Sequence, residues 1–139
     1  MRRRYIRYIT IQGKKVDIDR TLESMSVFRE ALKAEMFLLA QLPMDRVSDD
    51  HLMVAVQQNG WCLRDIPDNR KTDLLMKTAV MEDADSIVHC PVQSRELQMS
   101  AITSNPFSVK LIRDPHPDVL RYLRSQHVPV YRKYFTKTL

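Results

Sequence analysis

The sequence predicts a mainly α-helical single domain, residues 1–139, in which a short α-helical repeat of about 24 residues follows an N-terminal β-hairpin and a long helix. Three observations carry this. Two glycines stand against eight methionines, and glycine is penalised in helix interiors while methionine is not. Apolar residues recur at three- and four-residue steps along most of the chain, the spacing of one helix face. One pattern also returns at a fixed phase. Ala31-Leu32 leads to Leu39 and Leu42-Pro43, Ala55-Val56 to Leu63 and Ile66-Pro67, and Ala79-Val80 to Ile87 and Cys90-Pro91, every column advancing by the same interval. A more worn copy, Ala101-Ile102 to Val109 and Ile112, follows two residues early and lacks the closing proline.

The elements follow in order. Residues 5–11 are rich in β-branched and aromatic side chains, and Gln12-Gly13-Lys14-Lys15 with Val16 and Ile18 completes a hairpin over 1–18. A two-stranded hairpin is marginal alone, so it is expected to lie against helices or to find another strand. Asp19 or Thr21 can cap a long helix over 19–43, whose stripe runs through Met25, Phe28, Leu32, Leu39 and Leu42 until Pro43 stops it. The repeats occupy 48–112. Ser48, Thr72 and Ser94 stand at N-cap positions, and Asn59, Asp83 and Asn105 stand four residues after the repeated alanines, where each helix should end. A short helical turn then carries Leu63/Ile66, Ile87/Cys90 or Val109/Ile112 back to the core. Such a unit cannot bury its apolar face alone, so neighbours must stack. In the basic C-terminal segment, 114–139, Asp114-Pro115-His116-Pro117-Asp118 opens a helix through Leu120 and Leu123, with proline in its first turn, and Pro129 ends it. Residues 131–135 fit either a last helix or a strand beside the hairpin, with the helix preferred.

A chain of this length suffices for one core. The 44% apolar fraction excludes a disordered chain, and no apolar run reaches the length of a membrane-spanning helix, so no membrane association is expected. Met1-Arg2-Arg3-Arg4 begins like a secretory signal, but Arg7 interrupts the apolar part and no small-residue cleavage site follows, so a cytoplasmic protein is expected. Cys62 and Cys90 are too few for a disulfide framework and sit among apolar residues as small hydrophobes. Charge is segregated: residues 1–15, 16–100 and 101–139 carry +6, −6 and +5. Basic ends around an acidic middle create a field that attracts polyanions, or simply keep the chain solvated.

The run Ala55-Val56-Gln57-Gln58-Asn59-Gly60-x-x-Leu63, followed one interval later by Ala79-Val80, resembles the tandem AVKQNG-type helical repeats of a bacterial domain family of unknown function. Ala101-Ile102-Thr103-Ser104-Asn105-Pro106 is similar to the A-V-x-x-N-P element of leucine-rich-variant repeats, another α-solenoid. The likeness covers about residues 48–112, and Glu82-Asp83-Ala84 departs from it where Asn-Gly would stand. It implies an interaction scaffold of the kind found in intracellular bacteria, including effectors secreted into a host cell, and assigns no activity.

No catalytic constellation is legible. The histidines at 51, 89, 116 and 127 have no ligand spacing, and there is neither a glycine-rich phosphate loop nor a nucleophile elbow. Glu82, Asp83 and Asp85 read as a solvated turn. A non-enzymatic protein-binding scaffold without metal or cofactor is therefore expected, another protein being its partner. Trp61, Arg64 and Phe107 are the contact candidates, because tryptophan and arginine dominate binding hot spots. The alternative is a nucleic-acid binder using Arg2, Arg3, Arg4, Arg7 and Tyr8 with Arg132 and Lys133, cations beside aromatics that could grip phosphates and stack on bases.

Overall fold

The computed structural model describes residues 7–136; Arg2, Arg3 and Arg4 lie outside them. The described chain is mainly helical behind a two-stranded antiparallel hairpin, β1 (Tyr8–Ile11) and β2 (Lys14–Asp17). Ile11 pairs with Lys14, which leaves Gln12-Gly13 as a two-residue loop. Both loop residues have positive φ, 50° and 79°, as a type I′ turn requires; glycine adopts this freely and glutamine does so at a cost. The hairpin finds its support in two ways. Ile9 is buried, and the Gln41 side chain both donates to the Thr10 carbonyl and accepts from the Thr10 amide at 2.9 Å, as a neighbouring strand would.

Residues 19–43 do not form one long helix. They are divided into α1 (Ile18–Glu23), α2 (Met25–Ala34) and α3 (Leu38–Gln41). The first cap is Asp17, whose carboxylate accepts from the Arg20 amide, two residues before the earliest expected capping residue. Ser24 and Glu35 both take extended backbone angles. A continuous helix carries one straight apolar stripe, whereas the two breaks turn Ile18 and Thr21, then Phe28 and Leu32, then Leu38, Leu39 and Leu42 into one core.

Beyond this, α4 (Asp49–Gln58), α5 (Asp73–Glu82), α6 (Arg95–Ser104) and α7 (Pro117–Gln126) are, like α2, ten residues long. Their first residues, Met25, Asp49, Asp73, Arg95 and Pro117, follow one another at nearly even intervals. Ser48, Thr72 and Ser94 cap α4, α5 and α6 by accepting the amides of His51, Leu75 and Leu97, each cap contributing about 1 kcal/mol. At the other end Asn59, Asp83 and Asn105 stop the helix, but not through a left-handed conformation. Each is extended, gives its own amide to the carbonyl of Ala55, Ala79 or Ala101, and accepts the amide two residues on. One residue thereby ends the α-helix and caps the 3-10 helix that follows: Gly60–Asp65, Ala84–His89 or Pro106–Leu111. Glu35 has the same backbone and the same bond, its carboxylate accepting the Phe37 amide at 3.2 Å.

The ten-residue helices pack in chain order, and the 3-10 helices form a second row beside them. Ala55, Ala79 and Ala101 are fully buried between neighbours, and Leu63, Ile87 and Val109 fill the seam behind. Gly60 is required by space: a Cβ there would stand 2.4 Å from the Ala79 carbonyl oxygen and 2.8 Å from Ser86 Oγ. Side chains of one segment close the open carbonyls of another. Arg70 donates to Met44 and Val47, Lys71 to His89, Gln93 to Ile87 and Leu111, and Arg113 to Cys90 and Pro91. The last described element is α8 (Val128–Phe135), a helix rather than a strand, with Pro129 in its first turn rather than at the end of α7.

Candidate interaction surface

In a 3-10 helix residues three apart eclipse one another, so each short helix turns one pair of side chains away from the core. Trp61/Arg64 and Phe107/Lys110 are exposed, and in the middle helix Val88 is exposed while Asp85 is half-buried against Ser108; Cys62/Leu63, Ser86/Ile87 and Ser108/Val109 face the core. The three helices lie side by side, and α3 packs against the first of them. Phe37 follows Glu35 at the position that Trp61 and Phe107 hold after Asn59 and Asn105. Three aromatic rings therefore stand in corresponding places along one row, 48%, 38% and 47% exposed for Phe37, Trp61 and Phe107.

Each ring is touched by a polar group from later in the chain. The Arg64 guanidinium lies 4.9 Å from the Phe37 ring centre, the His89 ring stands edge-on to Trp61 at 5.0 Å, and the Lys133 ammonium of α8 lies 5.6 Å from Phe107. Such contacts contribute on the order of 0.5–1 kcal/mol at exposed sites and hold the rings in place. Met36, 65% exposed, forms with Asn59, Trp61, Cys62 and Arg64 a cleft of about 180 Å³. Trp61, Arg64 and Phe107 are thus brought to one surface, which also includes Met36, Phe37, Val88, Lys110 and Lys133. Phe37 escapes a reading of the sequence because in one continuous helix it would stand opposite the stripe through Phe28, Leu32 and Leu39, with no helix stop before it to relate it to Trp61. The signal that finds it is arithmetic: Phe37 precedes Trp61 by the same interval that separates Ala31 from Ala55.

The electrostatics favour packing over chemistry. Burial pushes the Cys62 and Cys90 thiols up to about 11, so neither is a thiolate at neutral pH. His89 is held below its ordinary value, first by burial and then by Lys71 and Arg64, and its buried Nε2 has no hydrogen-bond partner among the described residues. The largest cavity described, about 390 Å³ between α6 and the start of α7, is lined by Gln93, Gln98, Arg113 and His116. Gln93, Gln98 and Arg113 bond backbone groups there, and Gln98 alone spans Gln93, Asp114 and His116. Among the described residues no three His, Cys, Asp or Glu side chains are grouped to hold a metal ion. Among the same residues no helix is long and apolar enough to cross a membrane.

Among the described residues the candidates Arg7 and Tyr8 lie apart from Arg132 and Lys133. Arg7 pairs with Asp17 at 3.6 Å and lies over Tyr8, on a hairpin that packs against α3. Arg132 and Lys133 belong to α8, which packs against α7 and the last 3-10 helix, at the other end of the row. The chain matches no protein-family model, no curated protein and no solved structure.

Proposed function

We propose that this chain is a non-enzymatic protein-binding scaffold, a stack of short helical repeats whose 3-10 row is the contact surface. The repeat begins one unit earlier than residue 48, at α2, and reaches α7. The observation that carries the reading is the recurrence of an exposed aromatic ring at the same place after Glu35, Asn59 and Asn105. A stack needs only its buried columns to hold together; a phenylalanine or tryptophan left 38–48% exposed at a fixed place keeps much of its ring open to solvent and supplies a rigid contact of large area. The ring positions are set by the caps, by cations over Phe37 and Phe107 and by the His89 ring against Trp61, so little ordering entropy is lost on binding.

The test is affinity capture from the source cell, with nuclease, comparing the wild type with Phe37→Ala/Trp61→Ala/Phe107→Ala. A protein retained by the wild type after nuclease and lost from the triple variant supports the reading. Capture that the triple variant leaves unchanged contradicts it. The nucleic-acid alternative rests on Arg2, Arg3, Arg4, Arg7, Tyr8, Arg132 and Lys133, of which the described ones lie at the two ends of a row whose middle is acidic. It requires affinity that falls steeply with salt and capture that nuclease abolishes.

A further inference from the structure

The charges beside the aromatic row are not balanced in what they leave free. Four carboxylates lie along it, and all four are engaged internally. Glu35 accepts the Phe37 amide, Asp65 takes the Arg64 guanidinium at 3.3 Å, Asp83 accepts the Asp85 amide at 3.0 Å, and Asp85 accepts the Ser108 hydroxyl at 2.7 Å. The cations at the far end are not so engaged. Among the described residues no ion pair involves Lys110 or Lys133. Lys110 eclipses Phe107 on the last 3-10 helix, and Lys133 lies over the Phe107 ring from α8. The row is therefore apolar at the Met36–Phe37–Trp61 end, where Arg64 is already neutralised by Asp65, and positive at the Phe107 end.

We infer that this surface takes an extended peptide segment whose one half carries aliphatic or aromatic side chains and whose other half is acidic, the acidic half over Lys110 and Lys133. The inference rests on the protein-binding reading above and names the chemistry of its partner. Size follows from the row. Neighbouring helix axes lie roughly 8–10 Å apart, so the span from Phe37 to Phe107 across three intervals is about 27 Å. An extended chain rising ~3.3 Å per residue covers it with about eight residues. A polynucleotide fits less well, because its evenly spaced phosphates would pass over Asp83 and Asp85, whose hydrogen bonds to an amide and a hydroxyl leave their charge in place, whereas a peptide can place its acids at one end.

The experiment is a selection of phage-displayed random 12-residue peptides on the immobilised full chain, followed by fluorescence anisotropy of the enriched peptides made synthetically. Enriched sequences are expected to carry clustered Asp or Glu on one side of apolar residues. Their affinity should fall about ten-fold or more with Lys110→Glu/Lys133→Glu, fall likewise with Trp61→Ala, and stay unchanged with Lys77→Glu on α5. Far-UV circular dichroism shows that each variant is folded. Enriched peptides without acidic residues that still need Trp61 overturn the charge inference and leave the protein-binding reading standing. A dT20 oligonucleotide binding more tightly than any peptide, with loss in the same lysine variant, overturns it in favour of nucleic acid. Failure to enrich any peptide that depends on Trp61 or Phe107 overturns both.

Discussion

Residues 24–42 and 48–66 occupy the same number of positions and fold alike, yet only the second is readable as a unit. In both, a serine precedes a ten-residue helix, an extended residue stops it, and a short helical turn returns apolar side chains to the core. The second announces each step with a residue suited to it: Ser48 makes a side-chain cap, Asn59 caps the next turn, and Gly60 fits a close approach. The first performs the same steps with residues that also suit a helix interior. Ser24 makes no side-chain cap bond, Glu35 reaches the Phe37 amide with a longer side chain, and Met36 stands where Gly60 does. The lesson is that register along the chain carries information that local propensity lacks.

This comparison can be broken at several strengths. The largest effect lies in the core. Phe28 and Leu52 hold corresponding places and are both fully buried. Phe28→Ala should lower unfolding free energy by about 3–5 kcal/mol and Leu52→Ala by about 2–5 kcal/mol, in one cooperative urea transition. Two separate transitions for Phe28→Ala would show that residues 24–42 fold apart from the rest.

The next effect tests the position after the helix stop. Gly60→Ala forces a Cβ to within 2.4 Å of a backbone oxygen, an overpacking that should cost about 1–3 kcal/mol. Met36→Ala, at the corresponding exposed place, should stay within about 0.5 kcal/mol. Equal midpoints for the two variants in thermal unfolding would remove the account of Gly60.

Capping separates the two regions more finely. Ser48→Ala and Thr72→Ala each lose a side-chain bond to a helix amide and should cost about 1 kcal/mol. Ser24→Ala has no such bond to lose, and its urea midpoint should match the wild type within a few tenths of a kcal/mol. A cost at Ser24 as large as at Ser48 would contradict the difference drawn here.

The smallest effect is pH dependence at His89, which has no titrating counterpart beside Phe37. Its folded-state value lies below the ordinary 6.5, burial being the main cause. The unfolded chain therefore binds the proton more readily, and stability is lost as pH falls from 6.5 towards the folded value. His89→Gln should flatten that part of the curve. Trp61 is the sole tryptophan and its ring lies 5.0 Å from His89, so its emission should report the same titration. An unchanged slope in the variant would mean that another group governs it.

Much of the architecture was legible because it depends on residues with one strong preference. The hairpin follows from β-branched residues around Gly13 and the three serine and threonine caps from their place before apolar runs, whereas residues 131–135 fit either a helix or a strand by spacing until α8 decides it. The breaks at Ser24 and Glu35 were not, since no glycine or proline marks them and the apolar spacing runs through unbroken. Of the candidate surface, Trp61, Arg64 and Phe107 could be named from the sequence, but not their exposure, since a lone tryptophan more often packs than projects. Phe37 was hidden by the missed break, and Lys133 reaches the row only through the folding of α8 against the last 3-10 helix.

The proposed function makes one face, the 3-10 row, the place where a protein would bind. Amide chemical-shift mapping of the labelled chain, titrated with the most enriched peptide, tests it most directly. The account predicts that shifts concentrate in residues 36–41, 60–65, 84–89 and 106–111 and around Lys133, with the solvent-facing positions of α4, α5 and α6 unmoved. Shifts centred instead on Met53, Leu74, Lys77 and Glu96, in the grooves between those helices, would contradict it.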